Sequence, residues 1–207
     1  MGSSAQIIMP GDRGVRFDVD ETADSYLENA LLKCQGLLSI LAGAPRAGTT
    51  SIPQAAEAAK LLASTDEDLW VLADDSGIEV TALHGRPGVR SARYGDKLPT
   101  PPANDVERYR LLLAELDSVE EREAAFVCAM VAAQPGGRIV AAQERWRGTI
   151  ATGPQIGTTG FGYDPVFIPE GSDRSASMLQ QEVKNRTSHR AQALRTVLTA
   201  VGLQVGR

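Results

Sequence analysis

The stretch from Trp70 to Val80, WVLADDSGIEV, constrains the fold more than any other part of this 207-residue chain. An apolar run typical of a buried strand ends in two adjacent carboxylates, Asp74 and Asp75. Apolar and polar residues then alternate to about Thr81, which predicts that the strand resumes. Adjacent like charges are costly unless a cation offsets them. The pair therefore indicates either a turn or a cation site at the end of a strand.

Helical patterns lie on both sides of this strand. An apolar stripe predicts a first helix from Asp24 to about Leu38, with Thr22 or Asp24 as its cap. Asn104 predicts the start of a second helix, because a glutamate follows it three residues later and a core-facing stripe comes next. A final helix is predicted over 188–201, ending at a glycine.

Strand patterns separate these helices. Residues 124–148 read as two strands joined at Pro135-Gly136-Gly137, which indicates a hairpin. A short strand, PVFI, follows the glycine-rich stretch GTTGFGYD. Strands and helices alternate irregularly around one hairpin, and this pattern predicts a mixed sheet with helices packed around it, in one α/β domain that spans residues 1–207.

Composition limits the possible partners. The net charge of −5 argues against a general binder of nucleic-acid backbones, and the apolar runs are too short to cross a bilayer. No secretory leader is visible, and the two cysteines, Cys34 and Cys128, are separated in the sequence and lie in apolar contexts. Both observations predict a cytoplasmic protein with two reduced core thiols.

Several polar residues outside the strand are candidates for chemistry. Glu21 or Glu28 could complete a carboxylate cluster, although both could equally be exposed helix-surface acids. Lys33 could contact a phosphate or lie at the surface. The loop GTTGFGYD, residues 157–164, allows close backbone approach, and its Phe161 could stack on a planar ring. A tight turn before a strand explains that loop nearly as well.

The segment KNRTSHRAQAL, residues 184–194, places Lys184, His189 and Arg190 just before and within the first turn of the final helix. Cations there oppose the helix dipole, so the segment indicates an anion or acceptor site. A helix that tolerates exposed basic residues is an equally good interpretation of this segment alone.

Four segments together resemble one family, the inosine triphosphate pyrophosphatases. They are ETADSYLENALLK, ADDSGIEVTALHGRPGVRSARY, GTTGFGYDPVFIPEG and KNRTSHRAQAL. The likeness runs from about Phe17 to Leu198, except for one internal stretch. It implies a long mixed β-sheet with flanking helices, two lobes around a central cleft, and usually a homodimer. It also implies Mg²⁺-dependent hydrolysis of ITP, dITP or XTP to the monophosphate and pyrophosphate.

The resemblance also implies roles for individual residues. Asp75 matches the catalytic aspartate that acts as general base and engages the metal, with Asp74 beside it and Glu21 as a further metal-associated acid. Lys33 matches a lysine that faces the triphosphate, and Ser76 a residue that contacts substrate. The remaining matches form the base-binding loop and the residues that close on the nucleotide: Phe161, Gly162, Tyr163, Asp164, Lys184, His189 and Arg190.

The sequence departs from the family pattern in two places. The segment before Glu21 contains none of the usual first strand, phosphate loop and first helix, so we expect a weaker grip on the triphosphate. About 25 extra residues lie between Lys33 and Ala73; we interpret residues 42–66 as an inserted surface segment.

Two other functions stay open at this point. The departure near the N-terminus would also fit a nucleotide-binding protein with impaired or lost catalysis. A related pyrophosphatase that acts on pyrimidine or modified nucleotides fits the broader fold but not the wording of SHR and GFGYD.

Overall fold

The computed structural model describes residues 7–13, 17–42, 49–51 and 69–203. The strands are β1 (Phe17–Val19), β2 (Thr49–Ser51), β3 (Val71–Val80), β4 (Pro87–Gly88), β5 (Glu123–Ala133), β6 (Ile139–Ile150) and β7 (Phe167–Pro169). The α-helices are α1 (Tyr26–Leu41), α2 (Asp105–Glu115), α3 (Gln181–Thr187) and α4 (His189–Ala200). Short 3₁₀ turns lie between several of these elements.

Five strands form one sheet in the order β4-β3-β5-β6-β7, and β1 pairs with β2 in a separate two-stranded sheet. β4 runs antiparallel to β3, and β7 runs antiparallel to β6. The predicted class, an α/β chain with flanking helices around a sheet, is confirmed. The tight connection between β5 and β6 is also confirmed, and the Gln134 amide donates to the Arg138 carbonyl across it.

The chain forms two compact units, and β3, β5 and β6 each contribute residues to both. The first unit contains Met1–Asp75, Ala129–Gln143 and Ala193–Arg207; the second contains Ser76–Cys128 and Glu144–Gln192. The division passes between Asp75 and Ser76, within β3. Two residues that are adjacent in the sequence, and both predicted to belong to the site, therefore belong to different units.

Each unit has its own hydrophobic core. In the first, Ala30, Cys34 and Leu37 of α1 pack with strand residues that include Val71 and Val131. In the second, residues of β3, β5, β6 and β7 pack with α2 and the turns; the largest fully buried side chains there are Phe167, Ile78, Leu112, Leu116 and Ile150. Burying such side chains contributes about 1.5–3 kcal/mol each and fixes the strands that carry the site residues.

Of the two N-terminal helix caps predicted from the sequence, one is confirmed and one is wrong. Asn104 caps α2 as predicted: its Oδ1 accepts from the Glu107 amide at 3.0 Å, and the Glu107 carboxylate accepts from the Ala103 amide at 2.7 Å. The predicted cap of α1 is wrong, because Ser25 takes that position and its Oγ accepts from the Glu28 amide at 3.2 Å.

Two further expectations are corrected. β3 runs without interruption through Asp74 and Asp75, so the carboxylates lie in the middle of a strand and not in a turn or at a strand end. Thr49–Ser51, within the segment interpreted as a surface insertion, forms a strand that pairs with Phe17–Val19. The structure describes Ala42 and Thr49–Ser51 from the predicted insertion 42–66, and the other residues of that insertion lie outside the described residues.

Both cysteines are free and fully buried, as predicted. Cys34 donates to the carbonyls of Val131 and Val71 at 3.3 and 3.4 Å, and burial raises the pKa of its thiol to about 12. We therefore expect no reaction of native protein with an aromatic disulfide reagent at pH 8, and two thiols per chain titrated in denaturant. Fast labelling of one thiol in the native state would contradict this burial.

Within the described residues, no helix combines the length and the apolar character that a membrane span requires.

Candidate functional site

The first unit gathers three predicted site residues around one ammonium group. Lys33 Nζ lies 2.9 Å from Glu21 Oε1 and 3.0 Å from Asp75 Oδ1. The same ammonium donates to the Asp74 backbone carbonyl at 3.1 Å. Asp75 itself is 6% exposed. We call Glu21, Lys33 and Asp75, with Asn29, the carboxylate cluster.

Asn29 belongs to this cluster, although the sequence prediction assigned it no role in the site. It is fully buried, and its Nδ2 donates to Asp75 Oδ2 at 3.2 Å. Its Oδ1 accepts from the Ala23 amide at 3.1 Å, and its Nδ2 also donates to the Ala23 carbonyl at 3.3 Å. These two hydrogen bonds fix the side chain. The available signal was its position four residues before Lys33, which places both side chains on one face of α1.

Burial and charge act in opposite directions on the two central groups. Burial raises the pKa of Asp75, and the Glu21 charge adds to this, although Lys33 and Asn29 act in the opposite direction. Burial alone would lower the pKa of Lys33, but its hydrogen bonds and charge interactions with Glu21 and Asp75 outweigh burial and raise it. The aspartate is therefore a better proton acceptor than an exposed one would be.

The other candidate acids lie differently. Glu28 is exposed and accepts from the Ser25 hydroxyl at 2.8 Å, so it serves the start of α1. Successive side chains of a strand point to opposite faces, so the carboxylates of Asp74 and Asp75 diverge and Asp74 joins the cluster through its backbone carbonyl. Of the two glutamates left open by the sequence, Glu21 joins the cluster.

The donor set of the cluster fits a hard cation. Two carboxylates, Glu21 and Asp75, already converge on one positive charge, the Lys33 ammonium. No group of three or more acidic, histidine or cysteine side chains suited to a metal occurs in the part of the chain that the structure describes. Magnesium matches such a set, because it is held by one or two carboxylates and completes its shell with water and substrate phosphates.

The second unit holds the predicted base-binding loop around a buried ion pair. Asp164 and Lys184 are 4% and 8% exposed, and Lys184 Nζ lies 2.6 Å from Asp164 Oδ2. The same carboxylate oxygen accepts from the Phe161 amide at 3.0 Å. Gly160, at φ +113°, passes so close that a Cβ there would lie 2.6 Å from that oxygen. The ion pair therefore fixes the shape of the loop.

An exposed aromatic ring stands on this braced loop. Phe161 is 64% exposed, and two cations approach its ring: Lys184 Nζ at 5.9 Å and Arg190 Cζ at 5.4 Å from the centroid. The Arg190 guanidinium also donates to Ser76 Oγ at 2.9 Å. An exposed aromatic ring can stack on a planar ligand, and the cations beside it can donate hydrogen bonds to the edge of that ligand.

The other loop residues contribute in different ways. The Gly162 amide donates to Asp105 Oδ2 at 3.0 Å, which ties the loop to the start of α2. Tyr163 is buried in the core, its hydroxyl donates to the Ser91 carbonyl at 2.9 Å, and burial raises its pKa. His189 is buried at the start of α4, outside the loop. Its ring stacks on Phe126, with centroids 4.8 Å apart and planes 6° apart.

The contacts in the second unit bring five of the predicted site residues together: Ser76, Phe161, Asp164, Lys184 and Arg190.

The start of the loop cannot accommodate a side chain. A Cβ on Gly157 would lie 1.9 Å from the Ser177 carbonyl oxygen, so we expect Gly157→Ala to lower the free energy of unfolding by about 3 kcal/mol. Gly153→Ala is the matched control, since no atom lies within 4 Å of its Cβ position. Urea unfolding of both variants checks this, and equal stabilities would contradict the close contact.

A separate cavity of about 670 Å³ lies in the second unit, on strands β3, β5, β6 and β7. Charged residues of both signs line it: Glu79, Glu123, Arg145, Arg147 and Glu170. The residues that line it include none of the predicted site residues. The carboxylate cluster and the predicted base-binding loop therefore lie outside this cavity.

Comparison with known proteins matches the chain with one family. Residues 5–200 match the Ham1 family. A dITP/XTP pyrophosphatase of Nitratidesulfovibrio vulgaris is 41% identical over 185 residues, covering 87% of this chain and 76% of that protein. A dITP/XTP pyrophosphatase of Mycobacterium bovis is 43% identical over 178 residues, covering 84% and 83%.

Solved structures agree. The HAM1 protein of Coxiella burnetii aligns with a TM-score of 0.67 at 31% identity, covering 92% of this chain and 83% of that one. The Ham1 protein of Staphylococcus aureus aligns with a TM-score of 0.66 at 33% identity, covering 89% and 80%.

Proposed function

Because this chain belongs to the Ham1 family, we propose that it hydrolyses non-standard purine nucleoside triphosphates, ITP, dITP and XTP, to the monophosphate and pyrophosphate. The relatives that it matches over most of its length are named dITP/XTP pyrophosphatases. This similarity does not favour the alternative, a nucleotide-binding protein with impaired or lost catalysis. The single observation in the molecule that carries the proposal is the buried Asp75, held by Asn29 and Lys33 in the middle of β3.

Asp75 is the proposed general base. It accepts a proton from the water that attacks the phosphorus next to the pyrophosphate leaving group, while the bond from that phosphorus to the bridging oxygen breaks. Its buried setting supports the role, because a raised pKa makes the carboxylate a more effective acceptor. Asn29 keeps the carboxylate in one orientation, and Lys33 is the residue that faces the triphosphate.

A divalent metal ion is part of this chemistry, and we propose Mg²⁺, held by the carboxylates of Asp75 and Glu21, with the backbone carbonyl of Asp74 beside them. When bound, the ion offsets the repulsion between carboxylates and phosphates and lowers the pKa of a bound water. The convergence of Glu21 and Asp75 on one cation supports this ligand set.

The purine ring is the proposed ligand of the loop in the second unit. Phe161 stacks on the ring, and Gly162, Tyr163 and Asp164 shape the loop beneath it. Lys184, His189, Arg190 and Ser76 face the base and its substituents. Hypoxanthine and xanthine carry an oxygen acceptor at position 6, where adenine carries an amino donor. Donors that pair with the oxygen are left unpaired against adenine, and this penalises ATP.

We further propose that the protein acts in the cytoplasm as a homodimer. The resemblance of the chain to the inosine triphosphate pyrophosphatases, which are usually homodimers, supports the dimer. Sedimentation of the purified protein over a range of concentrations tests the dimer.

A substrate panel tests the activity. We expect pyrophosphate release from dITP and XTP with Mg²⁺ at a kcat/KM at least about a hundredfold above that for dATP. Equal turnover of dATP and dITP would overturn the specificity. Calorimetric binding of ITP with no pyrophosphate formed would favour a nucleotide-binding protein instead.

A further inference from the structure

Phe126 lies beneath His189 in the second unit, outside every segment that indicated the site. The two rings are nearly parallel, with 6° between their planes and 4.8 Å between their centroids. Trp146, on the neighbouring strand β6, faces the same imidazole at 6.4 Å and 22°. His189 and Phe126 are 7% and 8% exposed, so the stack is part of the packed interior.

The position of Phe126 is itself fixed. Its ring meets Phe167 edge-on, with centroids 4.7 Å apart and planes at 70°. Phe167 is fully buried and also contacts Trp146 at 5.5 Å. Strands β5, β6 and β7, which are neighbours in the sheet, each supply one of these three rings. The imidazole therefore rests on an aromatic platform that the sheet holds in place.

An imidazole needs such a platform if it is to select a ligand. The terminal torsion of histidine is broad, so an unsupported ring samples many orientations. A hydrogen bond weakens steeply as its angle departs from linear. A parallel neighbour at stacking distance restricts the ring plane and hence the direction of each ring N–H. Discrimination between an oxygen and an amino group at one ligand position depends on that direction.

We propose that Phe126 is a positioning residue for base selection: by stacking under His189, it aims the imidazole at the oxygen on position 6 of the purine. The inference rests on the proposed function, since it assigns selectivity to a residue beneath the site. Phe126 touches neither substrate nor the reacting atoms in this account. Phe126 acts only on the choice of base, through the orientation of His189.

Phe126→Leu tests the inference, because it keeps an apolar side chain and removes the ring. We expect kcat/KM for dITP to fall about three- to tenfold, mainly through KM, with kcat/KM for dATP unchanged. The dITP/dATP preference would shrink by the same factor. Leu112→Val is the matched control: it truncates a fully buried side chain of the same core that carries no ring, and should leave the preference unchanged.

A double-mutant cycle separates positioning from general loosening. In a His189→Asn background, adding Phe126→Leu should not change the dITP/dATP preference any further. An equal additional loss in that background, or an equal loss in Leu112→Val, overturns the inference, as does an unchanged preference in Phe126→Leu. A wild-type protein without any preference for dITP would instead overturn the proposed function.

Discussion

Replacing Asp75 with asparagine should lower kcat for pyrophosphate release from dITP by about a thousandfold or more, which is the range for loss of a general base. Asparagine has nearly the same shape, but it lacks the charge that binds a metal ion and accepts a proton poorly. Initial rates with excess Mg²⁺ measure the effect. Asn29→Ala should cost less, because it leaves the Asp75 carboxylate in place and removes one of its donors.

The Asp75→Asn variant should remain folded. The pH dependence of the wild-type free energy of unfolding follows from the raised pKa of Asp75. Burial raises the pKa of Asp75 above its ordinary 3.8, so between 3.8 and the raised value the folded protein binds more protons there than the unfolded chain does. The free energy of unfolding therefore falls as pH rises through that window. At neutral pH the ionised carboxylate costs stability that asparagine does not.

We accordingly expect the metal-free Asp75→Asn protein to melt at or above the wild-type temperature at pH 7, and this comparison controls the activity measurement. Lys33 retains its ion pair with Glu21 in the variant. An inactive variant that melts well below the wild type would mean that Asp75 is a structural residue.

Lys184→Met should strongly destabilise the second unit, lowering the free energy of unfolding by about 3–5 kcal/mol. The change leaves Asp164, which is 4% exposed, as a buried carboxylate without its ammonium partner. That carboxylate also holds the Phe161 amide, so binding of the base should weaken as well. Urea unfolding measures the first effect and KM for dITP the second.

An exposed ion pair provides the matched control for Lys184→Met. The side chains of Arg90 and Asp96 are 44% and 41% exposed, and Arg90→Met should cost at most about 1 kcal/mol. Asp164→Leu combined with Lys184→Met should recover part of the lost stability, because no unpaired charge remains buried. Similar costs for Lys184→Met and Arg90→Met would contradict the burial of the Asp164–Lys184 pair.

The sequence predicted those parts of the molecule in which local pattern and tertiary structure agree. The cap at Asn104, the hairpin at residues 135–137 and the final helix are encoded by neighbouring residues, and all three are confirmed. The start of α1 was not predictable in the same way, because Thr22, Asp24 and Ser25 are all capable caps. Only the observed contact of Ser25 with Glu28 distinguishes them.

The site was predicted unevenly for a similar reason. Asp75, Glu21 and Lys33 stood in recognisable segments, and the structure brings them together. Asn29 was not identified, because the helical period alone does not tell whether a polar face meets water or a buried carboxylate. Phe126 could not be identified, since its importance comes from a ring stack with a residue 63 positions later in the chain (189 − 126).

The continuity of β3 was also beyond local reasoning. Adjacent aspartates are poor strand residues, and isolated they favour a turn. Here the strand neighbours of β3 in the sheet impose the extended conformation, and Lys33 supplies the opposite charge. Tertiary partners therefore decide the structure at the same place where the chemistry is proposed.

Hydrolysis of dITP in ¹⁸O-labelled water tests the central claim most directly, because it reports which phosphorus the water attacks. If the carboxylate cluster directs water to the phosphorus beside the pyrophosphate leaving group, mass spectrometry will find one ¹⁸O in the monophosphate and none in the pyrophosphate. Label in the pyrophosphate, or release of orthophosphate in place of pyrophosphate, would contradict the account.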